Sequence, residues 1–66
     1  MENTIKIHRA IKDLTQEELA NLIGVSRQTI NSIENNRYIP STVLALKLSK
    51  VFGVIVNDLF ELDDDD

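Results

Sequence analysis

Residues 16–33 read QEELANLIGVSRQTINSI, and their apolar side chains recur at helical spacing in two short runs. Gly24 stands between the runs, and polar residues fill the remaining positions. This pattern predicts two short helices that are joined by a tight turn and share one small core. The positions predicted to form that core are Leu19, Ala20, Ile23, Val25, Ile30 and Ile33. Leu22 falls at helical spacing on the same side of the first helix, so we expect it to be buried as well.

Both predicted helices have recognisable start and stop signals. Thr15 can cap the first helix, and Glu18, three residues later, can accept a hydrogen bond from the Thr15 amide; this is the capping-box pattern. Gly24 ends that helix because it adopts the left-handed conformation without a Cβ penalty. Ser26 is a good cap for the second helix, so the turn between the helices is very short.

The outward side of the second helix is polar in an unusual way. Arg and Gln side chains make bidentate contacts to guanine and adenine edges in a major groove, whereas a merely solvated helix more often carries pairs of Glu and Lys. The outward residues are Arg27, Gln28, Thr29, Asn31 and Ser32. We therefore predict that this side reads base pairs; a polar helix surface without any partner is the alternative.

Several motifs in fixed order resemble the Cro-type, or XRE, group of bacterial, phage and archaeal helix-turn-helix regulators. They are Leu14-Thr15-Gln16-Glu17-Glu18-Leu19-Ala20, Gly24-Val25-Ser26-Arg27-Gln28-Thr29-Ile30, Ile33-Glu34, Pro40-Ser41 and Phe52-Gly53. The resemblance extends to Phe60 and is closest to the small, stand-alone dimeric regulators of the cytolysin-repressor kind. It implies an all-α, five-helix, lambda-repressor-like DNA-binding domain.

The resemblance also implies roles for individual residues. Arg27 and Gln28 would contact base edges, with Thr29, Asn31 and Ser32 as weaker candidates. Residues at the rim of this surface would hold phosphates: Gln16, Ser26, Asn36 and Arg37. For Asn36 an ordinary solvated loop residue is an equal alternative. In such regulators an Arg in the first helix pairs with the acid that ends the recognition helix, which here would join Arg9 to Glu34.

The remaining elements follow from weaker signals. Asn3 or Thr4 can cap a first helix that runs to about Lys12, with Ile5, His8 and Ile11 at helical spacing. A fourth helix runs from its cap Ser41 to about Phe52 and is stopped by Gly53. Asn57 can cap a last short helix, and Glu61-Leu62 is a candidate for a short C-terminal strand.

The charge of the chain at first opposes binding to a polyanion. The net charge is −4 at pH 7, with 11 acidic and 7 basic residues. Four of the acids form the run Asp63–Asp66, which leaves residues 1–62 neutral overall. We therefore expect residues 1–62 to form the DNA-binding domain and residues 63–66 to be a disordered, solubilising tail. DNA binding would then require the basic groups to gather on one surface.

A chain of 66 residues without cysteine buries a limited core, so we expect a homodimer. Apolar residues near its C-terminal end need cover from a partner. The candidates for this interface are Ile39, Ile55, Leu59, Phe60 and Leu62. As an alternative, Leu59 and Phe60 could close only their own core.

Composition excludes several other functions. With two Gly and one His, the chain has no nucleophile paired with a base, no phosphate-binding Gly-rich loop and no metal-ligand spacing, so we expect neither an enzyme nor a cofactor. No apolar run is long enough to span a membrane, and we expect a cytoplasmic location.

The sequence thus predicts a homodimeric transcriptional regulator that binds duplex DNA, most simply a repressor at a palindromic operator. A protein-interaction module, such as an antitoxin-like partner binder anchored by Ile7 and Ile11, is the competing interpretation. Control by a second regulatory protein stays open.

Overall fold

Helices make up most of the protein, whose 66 residues are all described by a computed structural model. The five helices are α1 (Ile5–Ile11), α2 (Gln16–Ile23), α3 (Arg27–Glu34), α4 (Thr42–Phe52) and α5 (Val56–Leu59). Two short strands, β1 (Glu2–Asn3) and β2 (Phe60–Glu61), pair antiparallel, with Glu2 opposite Glu61 and Asn3 opposite Phe60. The predicted five-helix fold is confirmed. The longest helix, α4, has 11 residues, so none of the helices has the length and apolar character to cross a bilayer.

Ten apolar side chains form a single core to which every helix contributes. These residues are Ile5, Leu19, Ala20, Ile23, Ile30, Ile33, Leu44, Leu48, Phe52 and Leu59. Val25, which the sequence also predicts in the core, is half-buried and packs against it. Helices α2 and α3 pack against each other, and α4 packs on α2 and α5. The helix pair predicted from residues 16–33 therefore lies at the centre of the fold.

The predicted caps define the ends of α2 and α3. The Thr15 hydroxyl accepts the Glu18 N–H at 3.0 Å, and the Glu18 carboxylate accepts the Thr15 N–H at 2.9 Å. These two hydrogen bonds confirm the capping box, and the Thr15 N–H holds the pKa of Glu18 below its ordinary value. Gly24 ends α2 at φ 76°, in the left-handed region, and Ser26 caps α3 by accepting the Thr29 N–H at 3.1 Å.

Two residues predicted on the buried side are at the surface instead. Leu22 is 61% exposed. The buried side of α2 consists of Leu19, Ala20 and Ile23, and its centre lies between these three residues. Leu22 lies about 110° round the helix from that centre. Ile11 is 72% exposed, since α1 buries only Ile5 completely.

The chain ends also differ from the expectations. Asn57 lies inside α5, whose N-cap is Ile55 and which has no side-chain cap. The predicted strand lies one residue earlier, at Phe60–Glu61, and pairs with β1 of the same chain. The acidic run turns back on the first residue, so that the Met1 ammonium is 2.7 Å from the Asp63 carboxylate and 3.0 Å from that of Asp66.

Two matched substitutions in α2 test this assignment of the core. Leu19→Ala should lower the free energy of unfolding by about 3 kcal/mol, because it opens a cavity at a fully buried position. Leu22→Ala makes the same change at an exposed position and should alter stability by less than about 0.5 kcal/mol. Urea unfolding followed by circular dichroism measures both; equal losses would show that Leu22 belongs to the core after all.

Candidate nucleic-acid interface

Helix α3 presents an uncovered polar side to solvent. Its apolar residues Ile30 and Ile33 are buried against the rest of the core. On the opposite side Arg27 and Gln28 are exposed, and three further polar residues, Thr29, Asn31 and Ser32, are half-buried. No other element of the chain packs over this side, which is the arrangement that reading of base edges requires.

A shallow cleft of about 500 Å³ runs along one flank of α3 and is lined only by polar side chains. The lining residues are Gln16, Arg27, Gln28, Asn31, Ser32 and Arg37. They come from the start of α2, from α3 and from the loop that follows α3. Two arginines and no acidic residue line this cleft, so it attracts anions although the chain as a whole is acidic.

An adjoining cleft of about 290 Å³ lies on the other flank of α3 and shares three residues with the first. Its lining residues are Ser26, Gln28, Thr29, Ser32, Arg37 and Tyr38. The two clefts together bring eight of the nine predicted DNA-contact residues onto one surface, which we call the α3 surface; only Asn36 is missing. Tyr38, which is 47% exposed, joins this surface without having been among the nine. From the sequence, its hydroxyl can contact the DNA backbone while its ring covers the edge of the core.

A partly buried ion pair holds the end of α3 against α1. The Arg9 guanidinium donates from Nε to Glu34 Oε2 at 2.8 Å and from Nη2 to Glu34 Oε1 at 3.3 Å. The Glu34 side chain is only 5% exposed and that of Arg9 17%. Arg9 also donates to the Leu14 carbonyl at 2.8 Å. The expected Arg9–Glu34 pair is thus confirmed, and Arg9 has a structural role.

Gln16 contributes to the same network and to the α3 surface at once. Its Nε2 donates to Glu34 Oε1 at 3.1 Å. Phosphate oxygens only accept hydrogen bonds, so a phosphate contact must use the second N–H of this amide, which has no partner in the chain. Glu34 thereby orients the amide of Gln16 at the edge of the first cleft.

Asn36 lines neither of the two clefts, and its side-chain amide contacts β1. Its Oδ1 accepts from Asn3 Nδ2 at 2.9 Å, and its Nδ2 donates to the Glu2 carboxylate at 3.3 Å. Both ends of the amide therefore connect the loop after α3 to β1. The second Nδ2 N–H of the exposed Asn36 has no partner in the chain, so its phosphate contact stays a prediction.

The residues predicted for self-association are only partly available. Leu59 is completely buried, so its side chain cannot reach a partner and closes the chain's own core. Ile39, Ile55 and Leu62 are exposed by 66%, 66% and 75%. Phe60 is half-buried; it packs against the core and also lines an apolar groove.

That apolar groove has a volume of about 230 Å³ and lies between the loop after α3, helix α4 and the C-terminal segment. It is lined by Met1, Ile39, Pro40, Thr42, Ala45, Leu46, Val56 and Phe60. Leu46, which is 57% exposed, was missed from the sequence. Its position out of phase with the buried Leu44 and Leu48 was the signal that could have revealed it.

Two packed helices with a tight turn, an uncovered polar second helix and a rim of arginines define a DNA-binding protein of the helix-turn-helix class. The family model described as Helix-turn-helix matches residues 5–57, which is most of the chain. The chain belongs to this XRE-type helix-turn-helix family of transcriptional regulators, and it has their DNA-binding role.

Similarity to individual proteins supports this family assignment. The chain is 52% identical, over 66 residues and the full length of both proteins, to an uncharacterized HTH-type transcriptional regulator of Methanocaldococcus jannaschii. It resembles the restriction-modification controller protein C.AhdI of Aeromonas hydrophila with a TM-score of 0.77 and 32% identity, over 85% of each chain. It also resembles the SOS-response transcriptional repressor LexA of Eubacterium rectale with a TM-score of 0.79 and 32% identity, over 91% of this chain and 64% of the other.

The partly buried ion pair can be tested by removing its acid. Glu34→Ala should lower the free energy of unfolding by about 3 kcal/mol, because it leaves the Arg9 guanidinium partly buried without a counter-charge. Glu17→Ala removes an exposed acid of α2 and should change stability by less than about 0.5 kcal/mol. Chemical denaturation at neutral pH compares the two variants, and similar values for both would contradict a structural role for the pair.

Proposed function

We propose that this chain binds duplex DNA sequence-specifically as a homodimer and represses transcription from a palindromic operator. The observation that carries the proposal is the α3 surface, where eight of nine predicted contact residues lie together, four of them exposed and four half-buried. A surface of this size and polarity on a helix fits the major groove, which admits one α-helix.

The side chains of the α3 surface divide into two roles. Arg27 and Gln28 are the most exposed and read base edges, with Thr29, Asn31 and Ser32 as secondary contacts. Gln16, Ser26 and Arg37 stand at the rim and hold phosphates, which sets the register of the helix in the groove. Arg37 is exposed and makes no side-chain hydrogen bond or ion pair within the chain, so its whole guanidinium is available.

The apolar groove is the proposed site of self-association. An exposed Ile39 and Leu46 beside the half-buried Phe60 form an apolar area that a second copy could cover with the same area of its own. In a two-fold dimer of this class, the two recognition helices stand about 34 Å apart, which is one turn of DNA. Ile55 and Leu62 lie outside the groove and extend the candidate interface at its edge.

Repression is the proposed consequence of DNA binding. The two clefts beside α3 are lined by groups that suit base edges and phosphates, so occupation of promoter DNA is the simplest way for this chain to act. The similarity to a protein described as a transcriptional repressor supports the same sign of regulation.

One observation favours a second function, which is the binding of another protein by α1. Ile7 and Ile11 are 60% and 72% exposed and lie one helical turn apart. Apolar residues with this spacing are typical anchors for a partner helix or groove. Such binding would not use the α3 surface, so it is compatible with DNA binding.

Selection of bound fragments from random duplex DNA at about 150 mM salt tests the main proposal, because weak non-specific binding is lost there. We expect a palindromic consensus. Arg27→Ala should weaken binding to the selected duplex by about 1–3 kcal/mol and relax the preference at one base position. Arg37→Ala should weaken binding to all duplexes alike and reduce the slope of log K against log salt by about 1.

Lys50→Ala is the matched control for these arginines, since it removes an exposed positive charge that lines neither cleft. It should leave affinity and base preference nearly unchanged. Recovery of no consensus, or the same loss of affinity from Lys50→Ala as from Arg27→Ala, would contradict the assignment of the α3 surface.

Sedimentation velocity tests the proposed dimer. Leu46→Glu places a charge in the apolar groove and should convert the wild-type dimer into a folded monomer, because an unpaired charge is costly to bury. Ile7→Glu alters a residue of similar exposure on α1 and should leave the dimer intact. A dimer that survives Leu46→Glu but dissociates with Ile7→Glu would move the interface to α1.

A further inference from the structure

The amide of Asn3 connects β1 to the end of the recognition helix. Its Nδ2 donates to the Ile33 carbonyl at 2.8 Å and to Asn36 Oδ1 at 2.9 Å. Its Oδ1 accepts the Ile5 N–H at 3.2 Å. Both donors and the acceptor oxygen of this side chain are therefore in use. The bond to the Ile33 carbonyl joins residues that are 30 positions apart in the sequence.

The two groups that Asn3 holds control how the chain leaves α3. Ile33 lies in the last turn of α3, and its carbonyl also accepts the Asn36 N–H at 3.1 Å. Asn36 has φ 60°, in the left-handed region that non-glycine residues rarely adopt. Arg37 follows immediately, and its N–H donates to the Ser32 carbonyl at 2.9 Å. The direction in which Arg37 projects therefore depends on the conformation of Asn36.

Asn3 is itself anchored on its other side. Strand β1 pairs with β2, and the next residue, Thr4, donates from its N–H to the Leu59 carbonyl at 2.9 Å. The Thr4 hydroxyl donates to the Asp58 carbonyl at 2.6 Å. These bonds fasten the N-terminal segment to α5 and β2, so the Asn3 amide acts on α3 from a fixed support.

We infer that Asn3 is a positioning residue for DNA binding, which holds Asn36 in its left-handed conformation so that Arg37 stands at the rim of the α3 surface. This inference rests on the proposed function, in which Arg37 binds a phosphate. Asn3 lines neither cleft beside α3, so it acts on DNA only through Asn36 and Arg37.

Non-specific duplex DNA is the appropriate probe, since a phosphate contact does not depend on base sequence. Fluorescence anisotropy with a random-sequence duplex of about 24 base pairs, at about 25 to 150 mM salt, gives the affinity and the salt slope. Asn3→Ala should weaken binding about 2- to 10-fold, the equivalent of one lost hydrogen-bonded contact. It should also lower the salt slope by about 1, as Arg37→Ala does.

Thr4→Val is the matched control, because it removes side-chain hydrogen bonds of the same segment that lead to α5 and to His8 of α1, and none that leads to α3. It should lower the melting temperature about as much as Asn3→Ala and leave the salt slope unchanged. The double variant Asn3→Ala/Arg37→Ala should bind no more weakly than Arg37→Ala alone, since both changes remove the same contact.

Each outcome bears on a different statement. If Asn3→Ala binds DNA as Thr4→Val does while Arg37→Ala weakens binding, the inference is wrong and the proposed function stands. If Arg37→Ala has no effect, the phosphate contact and the inference fall together. If Asn3→Ala does not fold, Asn3→Asp keeps the oxygen that accepts from Ile5 but cannot donate to Asn36, and the same loss of slope is expected.

Discussion

The packing of α3 against α2 is the constraint on which the rest of this molecule depends. An eight-residue helix has room for one buried side, and Ile30 and Ile33 use it to join the core beside α2. Arg27 and Gln28 must then face outward, where they are exposed. The Arg9–Glu34 ion pair holds the far end of α3 in this orientation and orients Gln16 beside it. One side of α3 thus contributes to the core, and the other forms the α3 surface.

Charge is distributed so that an acidic protein can still bind a polyanion. Arg27 and Arg37 stand at the α3 surface, and no acidic residue lines either of its clefts. Two residues of the acidic run, Asp63 and Asp66, are paired with the Met1 ammonium, which lies at the apolar groove. The net charge of −4 therefore says little about the local potential at the α3 surface.

The short strand pair holds the N-terminal segment next to the apolar groove and the end of α3. Met1, which precedes β1, and Phe60 of β2 line the apolar groove. Asn3 of β1 donates a hydrogen bond to the end of α3. The same strand pair therefore contributes to the apolar groove and contacts Asn36 through the Asn3 amide.

Local sequence patterns were sufficient for the caps Thr15 and Ser26, the central helix pair and the outward residues of α3, because each depends on neighbours within one or two turns. The Arg9–Glu34 pair was predicted from the family resemblance. The burial of Leu59, the exposure of Leu22, the partners of Asn36 and the groove beside Leu46 arise from the way distant segments meet. Periodicity along a helix shows which residues share a side, but contacts between positions 3 and 33 or 4 and 58 exist only once the chain has folded.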